Sequence, residues 1–242
     1  MDFPRTFRRH ARAFQFSCAL TIAGALFGCL AIQLDPDAKH VLLPFSHLQG
    51  KPSERVKDEF ESRGKRLEGR KTSFSAQLMT HNTQVTVFTM ALGMTYGLGT
   101  IVILFYNGVI LGSVVLDYVL DGQTIFLLGW LLPHGSVEIP AILLGGQAGF
   151  VMAHALVGWG SRLTRRERLR AILPDLVTII GAAALLLIWA GIIEAFFSQY
   201  HEPVLPYGVK IAFGAIQLTA LTAFLTLAGR AGAAKRLVGA AA

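Results

Sequence analysis

Apolar residues in this chain form long unbroken runs, without the alternation of a half-buried strand or the single stripe of a surface helix. The first run covers 14–34, and later ones fall at 84–105, 108–132 with interruptions, 139–159, 176–197 and 207–228. Crossing a hydrocarbon core ~30 Å thick takes ~20 helical residues, so the pattern predicts an all-α polytopic membrane protein with about six transmembrane helices. The run at 108–132 reads differently. Its two pieces, 108–120 and 124–132, would give about 20 Å and about 14 Å of helix on either side of an Asp121-Gly122 turn. Neither spans alone, which predicts one broken or re-entrant segment. Directly after this run, Pro133-His134-Gly135 predicts a tight turn. Ser136 is then the N-cap of the next helix, with Pro140 in its first turn and Glu138 where the helix dipole favours a carboxylate.

Three regions result: 1–34, an N-terminus and first transmembrane helix; 35–83, a polar loop; and 84–242, the multi-helix membrane domain. In the loop, Ser53 is expected to cap an amphipathic helix carrying Val56, Phe60 and Leu67. Arg55–Glu59, Lys57–Glu61 and Glu61–Lys65 stand there at ion-pair spacing. A second short amphipathic piece, 73–79, offers Phe74 and Leu78. The loop is read as skimming the membrane surface or docking an envelope partner.

Composition strengthens this reading. The chain is 53% hydrophobic and 15% charged, whereas a soluble surface needs roughly a quarter or more of its residues charged. Between Lys71 and Arg162 there is no lysine or arginine, and the only carboxylates are Asp117, Asp121 and Glu138. The net charge of +7 comes from cations gathered beside apolar runs and not from one polar face, so it argues for the positive-inside bias and against nucleic acid. Arg5, Arg8, Arg9 and Arg12 precede the first helix, Arg162, Arg165, Arg166, Arg168 and Arg170 crowd one short loop, and Arg230, Lys235 and Arg236 mark the tail. All three groups are expected in the cytoplasm, with both termini there and the loops 35–83 and 198–206 outside. The first helix is expected to be retained; Ala23-Gly24-Ala25 leaves a cleaved signal peptide open. Cys18 and Cys29 would lie about 16 Å apart on one helix, beyond disulfide reach.

Few polar groups remain inside the spans, and an ionisable residue there is a functional hypothesis by default. Asn107, His134 and Glu138 form the candidate cluster, expected to converge where the broken segment folds back. Asn82, Gln147, His154, Glu194 and Lys210 are secondary helix contacts. Gln147 and His154 share a helix face, as do Lys210 and Gln217. Glu194 and Lys210 are expected at similar depth as an ion pair. No nucleophile turn surrounds Ser113, and no His-Glu-x-x-His pattern occurs. His134 and Glu138 lack a third metal ligand, since His154 would lie ~24 Å from Glu138 along one helix. A mixed surface site with His81 and His201-Glu202 stays open. No catalytic residue, metal or cofactor is assigned. Gly93-x-x-x-Gly97, Gly108-x-x-x-Gly112 and Gly145-x-x-x-Gly149, with 181–184 in the fifth helix, predict close helix packing, within the chain or between copies.

Four segments together carry a family resemblance: Asn82-Thr83-Gln84-Val85, the glycine-rich 91–100, Tyr106-Asn107-Gly108-Val109-Ile110-Leu111-Gly112, and Pro133-His134-Gly135-Ser136-Val137-Glu138-Ile139-Pro140-Ala141. Over about residues 74–230 the chain resembles the stage II sporulation protein M family. His81 and Gln84 stand where the family has a second Asn and a basic residue, so no charge role is carried over to that corner. The resemblance implies a multi-pass protein of the bacterial inner (cytoplasmic) membrane without known catalytic residues. Its sporulation members work with a lytic transglycosylase and an amidase that remodel septal peptidoglycan, and other relatives are encoded beside a MoxR-type ATPase. The expected function is a non-enzymatic scaffold of an envelope-remodelling complex. Its partners would be membrane lipid and envelope proteins, peptidoglycan hydrolases or a MoxR-type ATPase system among them; a homo-oligomer stays open. The alternative is a small-molecule or ion transporter or channel using Asn107, His134 and Glu138.

Overall fold

Gly24 and Gly28 open one face of the first long helix to direct backbone contact, and the bundle is organised from there. A computed structural model describes residues 2–44, 48–61, 70–198, 200, 202 and 204–230, the side chains of 58–61 and 70–79 excepted. A short α1 (Phe3–Arg9) leads into α2 (Ala11–Leu34), followed by a 3-10 turn at Pro36–Ala38, α3 (Lys39–Leu42) and α4 (Pro52–Glu61). Then come α5 (Arg70–Ala91), a 3-10 turn at Leu92–Thr95, α6 (Leu98–Leu120), α7 (Thr124–Val157), α8 (Arg165–Ile193) with a π-helical turn at Glu194–Ser198, and α9 (Tyr207–Leu227). No strand occurs among the described residues. Five of these helices, α2, α6, α7, α8 with its π turn, and α9, are long and apolar enough to cross a membrane. The all-α polytopic fold is as the sequence predicts.

Helix directions follow from which residues meet. A Cβ on Gly108 would run into the carbonyl of Thr21, and one on Gly112 into that of Ala25, while Gly24 and Gly28 lie against Phe105 and Val109. Residue numbers rise together, so α2 and α6 are parallel. Between them α5 must return, and it does so beside α7: Thr86 meets Gly145, and Gly93 meets Gly149. The long helices α2, α5, α6, α7, α8 and α9 therefore alternate in direction, α5 being less apolar than the five candidate spans. The glycine pairs pack within the chain. Gly181 meets nothing within 4 Å.

The segmentation departs from expectation in two places. α6 runs straight through Asn107-Gly108, and α7 continues through Pro133 and Pro140 to Val157. So no helix ends at Asn107, Ser136 is not an N-cap, Pro133-His134-Gly135 is not a turn, and Glu138 is not at a helix start. The break falls instead at 92–97, where Tyr96 (φ 56°) and Gly97 (φ 86°) adopt left-handed backbone and turn α5 back into α6. It splits the run expected at 84–105. The boundary expected at residue 83 lies within α5, which also absorbs the piece 73–79. At Asp121-Gly122 the expected turn is present.

The bundle has two chemically distinct ends. At one, α1 lies against α8 and α9: Arg8 Nη1 donates to the Leu225 carbonyl (2.9 Å), and Arg9 and His10 both reach Asp175 (2.8 Å). Arg168 caps the end of α7 through the carbonyls of Ala155 and Leu156 and also holds that of Leu163 in the connection, and Thr164 with Glu167 forms a capping box for α8. At the other end, α3 and α4 are clasped to α6. Asp117 takes Lys39 (3.4 Å) and Arg55 (3.2 Å), Arg55 stacks over Tyr118 (4.8 Å to the ring centroid), and Asp121 accepts from the Ser53 amide (2.6 Å). Ser53 is therefore inside α4 and capped by Asp121, and Arg55 pairs across to α6. Glu59, Glu61, Phe60, Lys65, Leu67, Phe74, Leu78, His201, Lys235 and Arg236 lie outside the described residues or side chains. Between the two ends, Leu144, Ala148 and Val151 of α7 pack with Phe7, Ile179, Ala183 and Leu225, making α7 the central helix.

Candidate functional site

Two prolines sit in the first half of α7, each removing an N–H from the helical ladder and freeing the carbonyl four residues back. In soluble surroundings that would favour a break. Here neighbouring helices cover the stretch, the circumstance in which spanning helices tolerate proline. Gln217 of α9 donates to the Pro133 carbonyl (2.9 Å) and to Ser136 Oγ (2.7 Å), while its own Oε1 accepts from Trp189 Nε1 of α8 (2.7 Å). One side chain thus ties three helices together at the weak point.

Continuity of α7 sets the positions of the candidate residues. His134 and Glu138 are one turn apart on the same face and are almost fully buried, at 1% and 4% exposure. Their partners come from different helices. The Asn82 side chain on α5 lies in hydrogen-bonding reach of the Glu138 carboxyl. His134 Nδ1 lies 3.2 Å from Ser198 Oγ, in the π turn ending α8, and its ring stands edge-on to Trp130 at 5.9 Å. His134 Nε2 is buried with no hydrogen-bond partner. Lys210, fully buried on α9, donates to the carbonyls of Ser198 and Tyr200, both at 2.8 Å. Ser198 therefore joins His134 to Lys210. Glu194, also buried, opens the same π turn.

Asn107 is half-buried on α6. Thr100 Oγ1 donates to the Thr89 carbonyl (2.7 Å), which fixes the α5–α6 hairpin register. Two turns further along each helix, Asn107 comes level with Asn82. Of the three residues expected to converge, the structure pairs His134 and Glu138 on one helix face and adds Asn82, Ser198 and Lys210 around them. Gln147 is buried and donates to the carbonyls of Phe7 and His10 (3.0 and 3.1 Å), whereas His154 is exposed. Ser198 gives no signal in the sequence, because it reaches the site only through the π turn. Gly24-x-x-x-Gly28 on α2 has the same spacing as the other glycine pairs and was legible.

Comparison with known proteins adds the decisive observation. A family model described as stage II sporulation protein M matches residues 17–199. The chain belongs to this family. The match enters in α2 and ends just past the π turn, so it contains Asn82, Asn107, His134, Glu138 and Ser198 and leaves α9 outside. This begins earlier and stops sooner than the 74–230 of the resemblance. The chain is similar to an uncharacterized protein of Methanocaldococcus jannaschii, 25% identical over 122 residues, which are 50% of this chain and 68% of that protein. No solved structure matches. A stage II sporulation protein M family member is a membrane protein, in agreement with the five apolar spans.

Proposed function

We propose that this family member is a non-enzymatic membrane scaffold of a cell-envelope complex, held in the cytoplasmic membrane with its arginine-rich end inside. The observation that carries this reading is that the buried polar side chains of α7 and α9 meet helix neighbours. Glu138 faces Asn82, Gln147 holds the α1–α2 junction, Gln217 spans three helices and Lys210 closes the α8–α9 connection. Groups so committed hold helices in register, which is what a scaffold requires of them. Partners on the envelope side would include peptidoglycan hydrolases, and on the cytoplasmic side a MoxR-type ATPase system. A transporter or channel is the second reading, favoured by the unpartnered Nε2 of buried His134.

Glu138→Gln separates the two. An amide still accepts a hydrogen bond from Asn82, so in a scaffold the variant keeps its folded amount and complements a deletion strain. A variant that is folded and membrane-inserted in normal amount yet fails to complement would contradict the scaffold and support a site that needs the carboxyl.

A further inference from the structure

Between α5, α7 and α8 the bundle leaves a crevice of about 260 Å³. α7 forms its floor through Leu144, Gly145 and Ala148, and α5 and α8 form its walls. Its rim is exposed hydrocarbon: Val87 is 49% and Ile188 61% exposed, so the crevice opens to the flank of the bundle. Along the helix axes it runs from Thr83 to Met90, roughly 10 Å at the helical rise. It lies in the middle of α8, near Ala184, well inside the apolar thickness. Of the two threonines that line it, Thr86 Oγ1 is turned back onto the Asn82 carbonyl (2.8 Å) and its methyl faces Gly145, which leaves the exposed Thr83 at one end as the hydroxyl of the lining.

These features restrict the occupant. Water finds too few polar partners on such walls to fill them. A whole helix of a second copy or another protein is ~10–12 Å across, as wide as the crevice is long, so at most a few of its side chains could enter. A single flexible hydrocarbon chain fits the length and the apolar lining, and the lateral opening lets it enter from the bilayer.

We propose that this crevice is a binding site for one acyl chain of a membrane lipid, recognised by shape and apolar contact and independent of the head group. It is distinct from the His134 and Glu138 contacts and does not depend on the scaffold reading. Ala184 controls its volume, since the residue is exposed and small and its side chain borders the cavity.

The test uses the purified full chain in vesicles of phosphatidylethanolamine and phosphatidylglycerol, doped with a phospholipid carrying a diazirine at mid-chain. Photolabelling is mapped by peptide. The expected result is saturable labelling on 83–90 and 180–188 that unlabelled phospholipid competes away. Ala184→Trp fills the crevice and lowers that labelling by about tenfold, the loss expected when about two methylenes are excluded. Leu185→Trp, on the neighbouring lipid-facing surface, leaves it unchanged. Labelling of wild-type protein that is uniform around the bundle and not saturable would overturn the proposal without recourse to any variant. So would efficient disulfide cross-linking between V87C on two copies, which would place a second chain over the crevice.

Discussion

Lys210 is the costliest residue in the bundle to bury, and the structure shows how its charge is accommodated. Its ammonium donates to the carbonyls of Ser198, which ends the π turn, and of Tyr200 in the connection that follows. Lys210→Met should strand both carbonyls and cost about 1–3 kcal/mol for each buried group left unmade. A fall in the thermal midpoint of purified protein measures this; an unchanged midpoint would mean that water replaces the ammonium. Glu138→Ala should destabilise the protein more than Glu138→Gln, because only alanine leaves the Asn82 amide unmatched. His134 and Glu138 were visible from sequence because ionisable residues stand out in an apolar run. Their partners were not: Asn82 and Ser198 come from elements far away in the chain, and spacing says nothing about which helices become neighbours.

Elements were legible where apolar runs are long and ambiguous where proline or glycine interrupts them. Local rules read Pro133, Gly135 and Pro140 as a turn and a helix start, yet α7 passes through, covered by neighbouring helices and tied at Pro133 and Ser136 by Gln217. The real break, at Tyr96-Gly97, lay in a stretch that reads as continuously apolar. Packing of α2 on α6 rests on backbone contact at Gly24, Gly28, Gly108 and Gly112. Gly112→Val should therefore prevent accumulation of folded protein, as the new side chain meets the Ala25 backbone, which cannot move aside without separating the helices. Gly181→Val, which points into open space, should accumulate normally and serves as the control. At the opposite end from the arginines, the Ser53 hydroxyl and amide hold the Asp121 carboxyl below the usual carboxylate range. Folding lowers this pKa, so the clasp contributes fully above the ordinary range and weakens as pH falls through the lowered value. Protection of amides 53–57 relative to their intrinsic, pH-dependent exchange rate should fall at acid pH, and Asp121→Asn should remove that loss.

For the whole molecule, charge asymmetry and pass number are coupled. The alternating helices put α1, the Gly158–Thr164 connection and Arg230 at one end, the end that the proposed topology places in the cytoplasm by the positive-inside rule. S161C, in a background without Cys18 and Cys29, should resist a membrane-impermeant thiol reagent in intact cells and react after lysis. Labelling from outside would invert the topology. The apolar spans were more legible in the sequence than the local breaks, because run length is a property of whole segments and tolerates errors of ten residues in any boundary. On the proposed reading, what the molecule scaffolds depends on surfaces presented to other proteins. The most direct measurement is affinity purification of the full tagged chain from native membrane in mild detergent, with quantification of what co-elutes. The account predicts stoichiometric recovery of envelope-remodelling proteins, retained in Glu138→Gln. A chain that elutes alone, and that carries solute flux in proteoliposomes abolished by Glu138→Gln, would contradict it.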